Sequence, residues 1–489
     1  MNQMSAQDAV FLHVENDVTP MHIGGVSIFA GPAPAFDELC AMVAGKLHHT
    51  PRYRQKVRFV PFGVSEPVWV DDAWFDLSYH LRHTAVPAPG SDAQLREMAA
   101  RVFSQHLDRA RPLWEIWMVE GLSQGRWALL SKVHHCMVDG VAATDLMSVM
   151  FDDEAGGAGP VSAGPDRWAP GPEPSGIALL AQSVTRRATD PAWNVRTAMS
   201  AWPQVLRGAV STARALAAAA PALRPATSTL TGPIGPHRTW SWARVSLTDV
   251  KRMRLALGGT VNDIVLAMIT QGFRALLDER GEAMPAERVV RTMVPVSVRA
   301  PDERGVYNNR VSAVFARLPV GLDDPEARLA RIREQMDGIK ASKQAVAGDV
   351  LSRLSGFAPP MLLALGSRAM TRSARLNMDT ATTNVPGPQT PLHALGRRLL
   401  ESYPYVPVVG TIRIVVAIFS YDGQLYFGIT GDRDHAADVD VLAAGIEAGA
   451  ADLLSCTAPL ASPRPIDKSS GARGRSRTAG AAAPRAPSA

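Results

Sequence analysis

Apolar runs alternate with amphipathic stretches from the start of the chain. The run Gly24-Gly25-Val26-Ser27-Ile28-Phe29 predicts a strand, and residues 35–47 carry apolar side chains at helical spacing. Residues 93–107 predict a second helix. Trp127-Ala128-Leu129-Leu130-Ser131-Lys132-Val133 is a short, mostly apolar run of the kind that forms a buried strand, and residues 141–150 read as a helix. In the second half, residues 289–298 and 413–420 are strand-like. Leu425-Tyr426-Phe427-Gly428-Ile429 follows the turn sequence Tyr421-Asp422-Gly423-Gln424, which predicts a hairpin. Residues 264–277 and 439–454 predict two further helices.

Between these two patterned regions the composition changes. Gly, Pro and Ala dominate residues 156–176, which reads as a linker, and residues 177–223 read as an Ala-rich helical crossover broken at Pro191 and Pro203. A chain of 489 residues exceeds what one compact core holds, so two domains are expected. The expected division is 1–155, a linker and crossover over 156–237, a second half over 238–460, and a tail over 461–489. No internal repeat is legible. The fold class that follows is mixed α/β, with two α/β halves joined by a long connection.

Charge and cysteine content narrow the setting. Much of the net charge of +5 sits in the tail, where Arg464, Lys468, Arg473, Arg475, Arg477 and Arg485 face one acid, Asp467. Too little apolar surface accompanies them to offset chain entropy, so the tail is expected to be a disordered basic segment. No nucleic-acid partner is expected. Cys40, Cys136 and Cys456 are widely spaced and odd in number, which excludes a disulfide framework and fits a reducing compartment. No CxxC or Cys/His zinc spacing occurs, so no metal is expected. The start of the chain has neither the basic region nor the apolar run of a signal peptide. The apolar stretch within 353–368 is short and broken by Pro359-Pro360, below the roughly 18 residues of a membrane span. The expected location is cytoplasmic, or at a membrane surface without crossing it.

Candidate chemistry concentrates where the strand ending at Val133 runs into His134-His135-Cys136-Met137-Val138-Asp139-Gly140. A strand end fixes a histidine's backbone while the following loop lets its ring face a cavity. A histidine near its ordinary pKa accepts and returns a proton at neutral pH, as activation of a hydroxyl requires. Two other roles fit the same residues. His134 can be structural, and Asp139 can be an N-cap of the helix that follows or the partner of an arginine. A shared metal ion fits poorly, because adjacent residues on a strand point to opposite faces.

His-His-x-x-x-Asp-Gly resembles the signature of the CoA-dependent acyltransferase superfamily, which includes chloramphenicol acetyltransferases and peptide-synthetase condensation domains. The flanking sequence resembles the bacterial wax ester synthase/diacylglycerol acyltransferase family. The match runs through Asp8-Ala9-Val10-Phe11-Leu12, Pro20-Met21-His22-Ile23-Gly24-Gly25, Trp69-Val70-Asp71-Asp72, Phe75-Asp76-Leu77 and Pro112-Leu113-Trp114-Glu115. It continues through Gly232-Pro233-Ile234-Gly235-Pro236-His237-Arg238, Val261-Asn262-Asp263-Ile264, Val294-Pro295-Val296-Ser297-Val298-Arg299 and Asn384-Val385-Pro386-Gly387-Pro388, and so spans about 8–454. Thr231 departs from the Asn that relatives often carry.

The resemblance implies two chloramphenicol-acetyltransferase-like domains with an active-site tunnel between them. It implies His135 as the general base, acting on an acceptor hydroxyl that attacks acyl-CoA directly. Acyl-CoA is then a co-substrate, no cofactor is needed, and the acceptor is diacylglycerol or a long-chain alcohol. Asp139 is implied to pair with an arginine, with Arg54 first by motif position and Arg299 second. His134 and Gly140 belong to the same supporting set. Asn262-Asp263 is implied to face His135 from the second half, although Thr260-Val261-Asn262-Asp263 also fits a capping box, which leaves Asn262 as the functional candidate. Pro112 and Trp114 either shape the pocket or pack the core, core packing being the stronger reading for Trp114. Asn384 to Pro388 reads as a turn-rich loop. Cys136 is expected to be buried and inert. Two alternatives stay open: an esterifying condensation enzyme fed by a carrier-protein thioester, and a non-catalytic lipid-binding relative.

Overall fold

The computed structural model describes residues 2–137, 150–152, 168–189, 228–297, 311–341 and 378–457. Asp139, Gly140, Arg299, the helix expected at 141–150 apart from its last residue, most of the crossover and the basic tail lie outside these residues.

Three sheets organise the described chain. In order along the first half come β1 (Asn2–Gln3), α1 (Ala6–Val14), β2 (His22–Phe29), α2 (Phe36–Lys46), β3 (Gln55–Arg58), β4 (Val68–Asp71) and α3 (Leu77–His80). Next are β5 (Leu81–Ala85), α4 (Asp92–Ser104), β6 (Trp114–Glu120), β7 (Trp127–His134) and α5 (Gly176–Thr189). The second half contributes β8 (Arg238–Ser246), α6 (Leu247–Leu257), α7 (Val261–Glu279), β9 (Val290–Ser297), β10 (Val311–Leu318) and α8 (Pro325–Ala341). It ends with β11 (Thr380–Pro386), β12 (His393–Ala394), β13 (Arg397–Tyr405), β14 (Ile414–Tyr421), β15 (Gln424–Asp432) and α9 (Val439–Ser455).

The first large sheet has the order β12-β13-β2-β7-β6-β5, the second β10-β9-β11-β14-β15-β8, and β1-β4-β3 form a small third sheet. Both large sheets mix parallel and antiparallel pairs. The mixed α/β class expected from the sequence is therefore the one observed. The strands expected near 24–29, 127–133, 289–298 and 413–420 all form, and β14–β15 is the expected hairpin, turning at Asp422 and Gly423, both with positive φ.

Three local expectations are corrected. The second half does not close on itself: β12 and β13 leave it and pair through β2 with the first sheet. The division at 238 marks the start of the second sheet but not a clean boundary between bodies. Asn384 and Val385 do not lie in a loop. They sit within β11, paired in parallel with Ile418 and Phe419 of β14, and the strand ends only after Pro386, which pairs with Ser420. Residues 168–176, assigned to the linker, are also held. Glu173 pairs with Lys56 and Arg58, the Gly171 amide donates to Asp71, and Trp168 lies under Arg54.

An aromatic seam joins the two halves. Phe103 at the end of α4 stacks on Tyr405 of β13 at 3.8 Å and meets Trp240 of β8 edge-on. Trp242 stacks on Tyr403 at 4.4 Å. Such pairs are worth roughly 0.5–1.5 kcal/mol each beyond the area they bury. Arg238 adds a polar tie: its amide donates to Ser104 Oγ, and its guanidinium donates to the carbonyls of Gly235 and of Val18 in the first half.

β2 is gripped from both sides, and its two glycines allow that. A Cβ on Gly24 would lie 1.9 Å from the Ser131 carbonyl oxygen, and one on Gly25 would lie 2.6 Å from that of Tyr403. Overpacking of this kind costs roughly 1–3 kcal/mol. Gly24→Ala is therefore expected to lower unfolding stability by at least about that much, read as a shifted urea midpoint at unchanged slope. An unshifted midpoint would mean that β2 and β7 are not in this register.

Candidate active site

His134 is the last residue of β7, directly opposite His22 of β2, and its amide donates to the Leu113 carbonyl. The chain then turns, with the Met137 amide donating to the His134 carbonyl. This is the strand-to-turn position expected for the motif. Neighbouring side chains on a strand face opposite ways, so the two histidine rings part company.

The His134 ring points inward and is fully buried. Its Nδ1 accepts a hydrogen bond from the Cys136 amide at 3.2 Å, so the proton of the neutral ring resides on Nε2. Nε2 faces Glu15 Oε1 at 3.5 Å, a long charge-assisted contact. The Glu15 side chain is also nearly covered, at 5% exposure. Arg109 grips its Oε2 at 2.6 and 2.8 Å, and the Met21 amide donates to its Oε1 at 3.0 Å. Burial alone would raise this carboxyl's pKa. The His134 contact, the Met21 amide and Arg109 outweigh burial and hold the group at about 2.

The His135 ring is only half-buried. It stacks face to face on Phe11, with centroids 3.8 Å apart and planes 9° from parallel, and its amide donates to the Met21 carbonyl at 2.9 Å. Phe11 belongs to α1, which Ser5 caps by accepting from the Asp8 amide. A protein-held histidine at the rim of a strand, half open, has the setting expected of a general base.

Cys136 is buried among Met4, Leu12, Val57 and Leu113, and burial pushes its thiol pKa well above the usual range. The expectation of an inert thiol agrees with this setting. Further along the inward face of β7, Lys132 is fully buried. Its ammonium donates to the Val102 and Gln105 carbonyls at the end of α4, and Glu115 lies 3.8 Å away. Burial pulls the Lys132 pKa down to about 8, with Glu115 opposing. His22 is likewise buried and hydrogen-bonded to the Phe103 carbonyl, and burial first, then the nearby Lys132, pushes its pKa well down.

The remaining sequence candidates divide. Trp114 is core: its indole donates to the Tyr53 carbonyl, and its ring stacks on His80 at 4.5 Å. Pro112 is buried beside it. Asp263 completes a capping box with Thr260, its Oδ2 accepting from the Thr260 amide at 2.7 Å, while Asn262 is half-buried on the first turn of α7. Arg54 is buried, its guanidinium over the Trp168 ring, 5.0 Å from the centroid. Its expected partner Asp139 lies outside the described residues, as does Gly140. Sequence reasoning missed Glu15 and Phe11 as neighbours of the histidines. Phe11 stood within a matched motif, but Glu15 carried no signal beyond following a helix.

The fold, with two strands of the second half added to the first sheet, is similar to that of a condensation domain. The first condensation domain of the CDA synthetase superposes with a TM-score of 0.54 over 94% of this chain and 97% of that one, at 14% identity, a likeness of fold alone. The catalytic-domain model of the wax ester synthase/diacylglycerol acyltransferase family matches residues 4–265, and the family's C-terminal domain matches residues 307–453. The chain belongs to this family and is an acyltransferase. It is 37% identical over 459 residues to a probable diacylglycerol O-acyltransferase of Mycobacterium tuberculosis, covering 93% of this chain and 96% of that protein. A wax ester synthase/diacylglycerol acyltransferase from Marinobacter aquaeolei superposes with a TM-score of 0.66 at 25% identity, covering 93% of this chain and all of that one.

The buried thiol gives a direct check. In the native protein at pH 8, Cys136 is expected to resist a thiol reagent until the chain is unfolded, and Cys136→Ala is expected to keep the acyl-transfer rate within about threefold, since a thiol that is not ionised contributes no nucleophile. Native labelling at Cys136, or loss of turnover in a folded variant, would reopen covalent catalysis.

Proposed function

We propose that this enzyme moves a long-chain acyl group from acyl-CoA to the free hydroxyl of diacylglycerol, giving triacylglycerol, with wax esters from long-chain alcohols as a second activity. The observation that carries the chemistry is the division at the end of β7. One imidazole is buried and committed to backbone and carboxylate, while its neighbour is half-open and held flat on Phe11. The substrates follow from the relatives, two of which carry diacylglycerol acyltransferase in their names.

In this mechanism His135 takes the proton of the acceptor hydroxyl as its oxygen attacks the thioester carbonyl. The tetrahedral oxyanion collapses, the C–S bond breaks, and the imidazolium returns the proton to the CoA thiolate. No acyl-enzyme forms, no cofactor is required, and Cys136 takes no part. A tunnel between the two halves would admit acyl-CoA and acceptor from different sides. Asn262 is its proposed counterpart to His135 from α7, and Arg54 paired with Asp139 would hold the rest of the motif beyond Met137. A positioned base supplies typically ~10²–10⁴ in rate, so holding both substrates at attack distance must supply much of the remainder.

The test is product formation from palmitoyl-CoA and dioleoylglycerol. His135→Ala is expected to lose about 10²–10⁴-fold in kcat. Equal, background amounts of triacylglycerol from wild type and variant would end the enzyme reading of this site. Consumption of an acyl-carrier-protein thioester but not of acyl-CoA would favour the condensation-type donor instead.

A water-insoluble acceptor also calls for a lipid-facing surface. No single helix among the described residues is long and apolar enough to cross a membrane. A peripheral contact is proposed through the small sheet and α5, at a cytoplasmic membrane face or lipid droplet. Phe62, Trp74 and Ile177 are 87%, 84% and 82% exposed, and Gly176 lies against Pro61, so Ile177 and Phe62 come from adjoining segments. Along α5, Ile177, Ala181 and Val184 face solvent, while Leu179 packs inward on Val60, Val68 and Val70. Exposed aromatic and aliphatic side chains of this kind favour the interfacial zone of a bilayer. Phe62→Ser combined with Ile177→Ser is expected to reduce co-sedimentation with phosphatidylglycerol-containing vesicles at least about tenfold, at roughly 0.8 kcal/mol per CH₂ withdrawn from lipid. Unchanged co-sedimentation would remove this face from consideration.

A further inference from the structure

Glu15 stands where three lines of contact to His135 begin. First, it is the C-cap of α1, its own amide donating to the Phe11 carbonyl at 3.1 Å, and Phe11 is the residue on which the His135 ring lies. Second, its carboxylate accepts from the Met21 amide, while the Met21 carbonyl accepts from the His135 amide, so one residue lies between the carboxylate and the base's backbone. Third, it faces His134 Nε2, whose ring in turn holds the Cys136 amide through Nδ1. One residue thus bears on the stacking partner through its backbone, and its side chain bears on the entry and the exit of the residue that carries the imidazole.

The carboxylate is itself held. Arg109 binds Oε2 through Nε and Nη2, and the same Nη2 donates to the Leu12 carbonyl near the end of α1. The turn after α1 is closed by reciprocal backbone bonds between Asn16 and Thr19, so the chain reaches Met21 along a defined path. The Glu15 side chain is 5% exposed, while Arg109 reaches it from the surface.

We infer that Glu15 is a positioning residue for His135, setting its backbone through Met21 and its flanking turn through the His134 ring. The inference rests on His135 being the base. Displacement of a reacting group by about 1 Å can cost about 10²-fold in rate without removing any contact to substrate. The signature of such a role is therefore a fall in kcat with KM kept.

The experiment compares Glu15→Gln, Glu15→Ala, His134→Ala and His135→Ala in the full chain, with palmitoyl-CoA and dioleoylglycerol, alongside thermal unfolding of each. Glu15→Gln keeps one acceptor for the Met21 amide, so kcat is expected to fall about tenfold, and in Glu15→Ala about a hundredfold, with KM for palmitoyl-CoA within about twofold. Glu15→Ala combined with His134→Ala is expected to be no slower than the slower single variant, because both act through one clamp. Should Glu15→Ala fail to fold, Glu15→Gln carries the measurement.

Wild-type kcat in a folded Glu15→Gln and Glu15→Ala would overturn the inference. So would a loss that matches only the unfolded fraction, or fully additive effects with His134→Ala. A dead His135→Ala beside a fully active Glu15→Gln sinks the positioning role alone. Wild-type turnover in His135→Ala sinks the base, and the inference with it.

Discussion

β2 has to satisfy two partners at once. On one edge it pairs residue for residue with β7, and on the other with β13, which arrives from the far half of the chain. Several of the contacts that hold the two halves together are arranged around that strand, and others run from α4 to the second half, where Arg96 lies over Trp242 and pairs with Asp440. Tyr405 reaches back from β13 onto Phe103 and His22, Trp240 meets Phe103 from the second sheet, and Arg238 crosses to the Val18 carbonyl just before β2 begins. The glycines at 24 and 25 are the cost of this double pairing, since side chains there would collide with the carbonyls of both neighbours. The catalytic candidate sits at the end of the same pairing, so its position is set by the contact that also joins the halves.

A second constraint is electrostatic. The inward face of the β2–β7 pair carries His22, Lys132 and His134, with Glu15 and Glu115 beside them, an expensive set to bury. Each member is nonetheless given a partner. Lys132 completes the carbonyls at the end of α4, where a helix accumulates partial negative charge, and His22 takes the Phe103 carbonyl in the same turn. The opposed shifts follow directly: Lys132 and His22 are pushed down by burial, and Glu15 is held down by its donors in spite of it. The Glu15 carboxylate is depressed in the fold. Its contribution to stability is therefore complete above its ordinary value of 4.5 and is lost as pH falls towards 2, so the site keeps its anchor through the whole neutral range.

Much of this was legible from residues. Period-two and period-3.6 patterns located β2, β7, β14, β15, α4 and α9, and Thr260 with Asp263 announced their capping box, because each of these is a local preference. What escaped depended on partners distant in sequence. β13 alternates well enough to be a strand, yet nothing in Arg397–Tyr405 says that it pairs with His22–Phe29 rather than with the sheet of its own half. At Asn384 the proline and glycine that follow argued for a turn, and pairing with β14 overrode them. Glu15 is an acid just past a short helix, a description that fits countless surface residues. Only the return of the chain at Met21 puts it beneath the histidines.

The histidine pair itself gains its sense from strand geometry. Two adjacent imidazoles cannot both face the same cavity at the end of a strand, so one is turned into the protein whatever the chemistry needs. In this chain the inward ring is the better placed to govern geometry. It accepts from the amide one residue beyond His135 and meets a carboxylate that also binds the residue bonded to the His135 amide. Replacing His134 would then disturb the direction of its neighbour without touching a substrate. An outward His134 with an inward His135 would reverse the assignment, and the face-to-face stack of His135 on Phe11 argues against that, because it holds a half-open ring at the rim and leaves the buried side to the anchor.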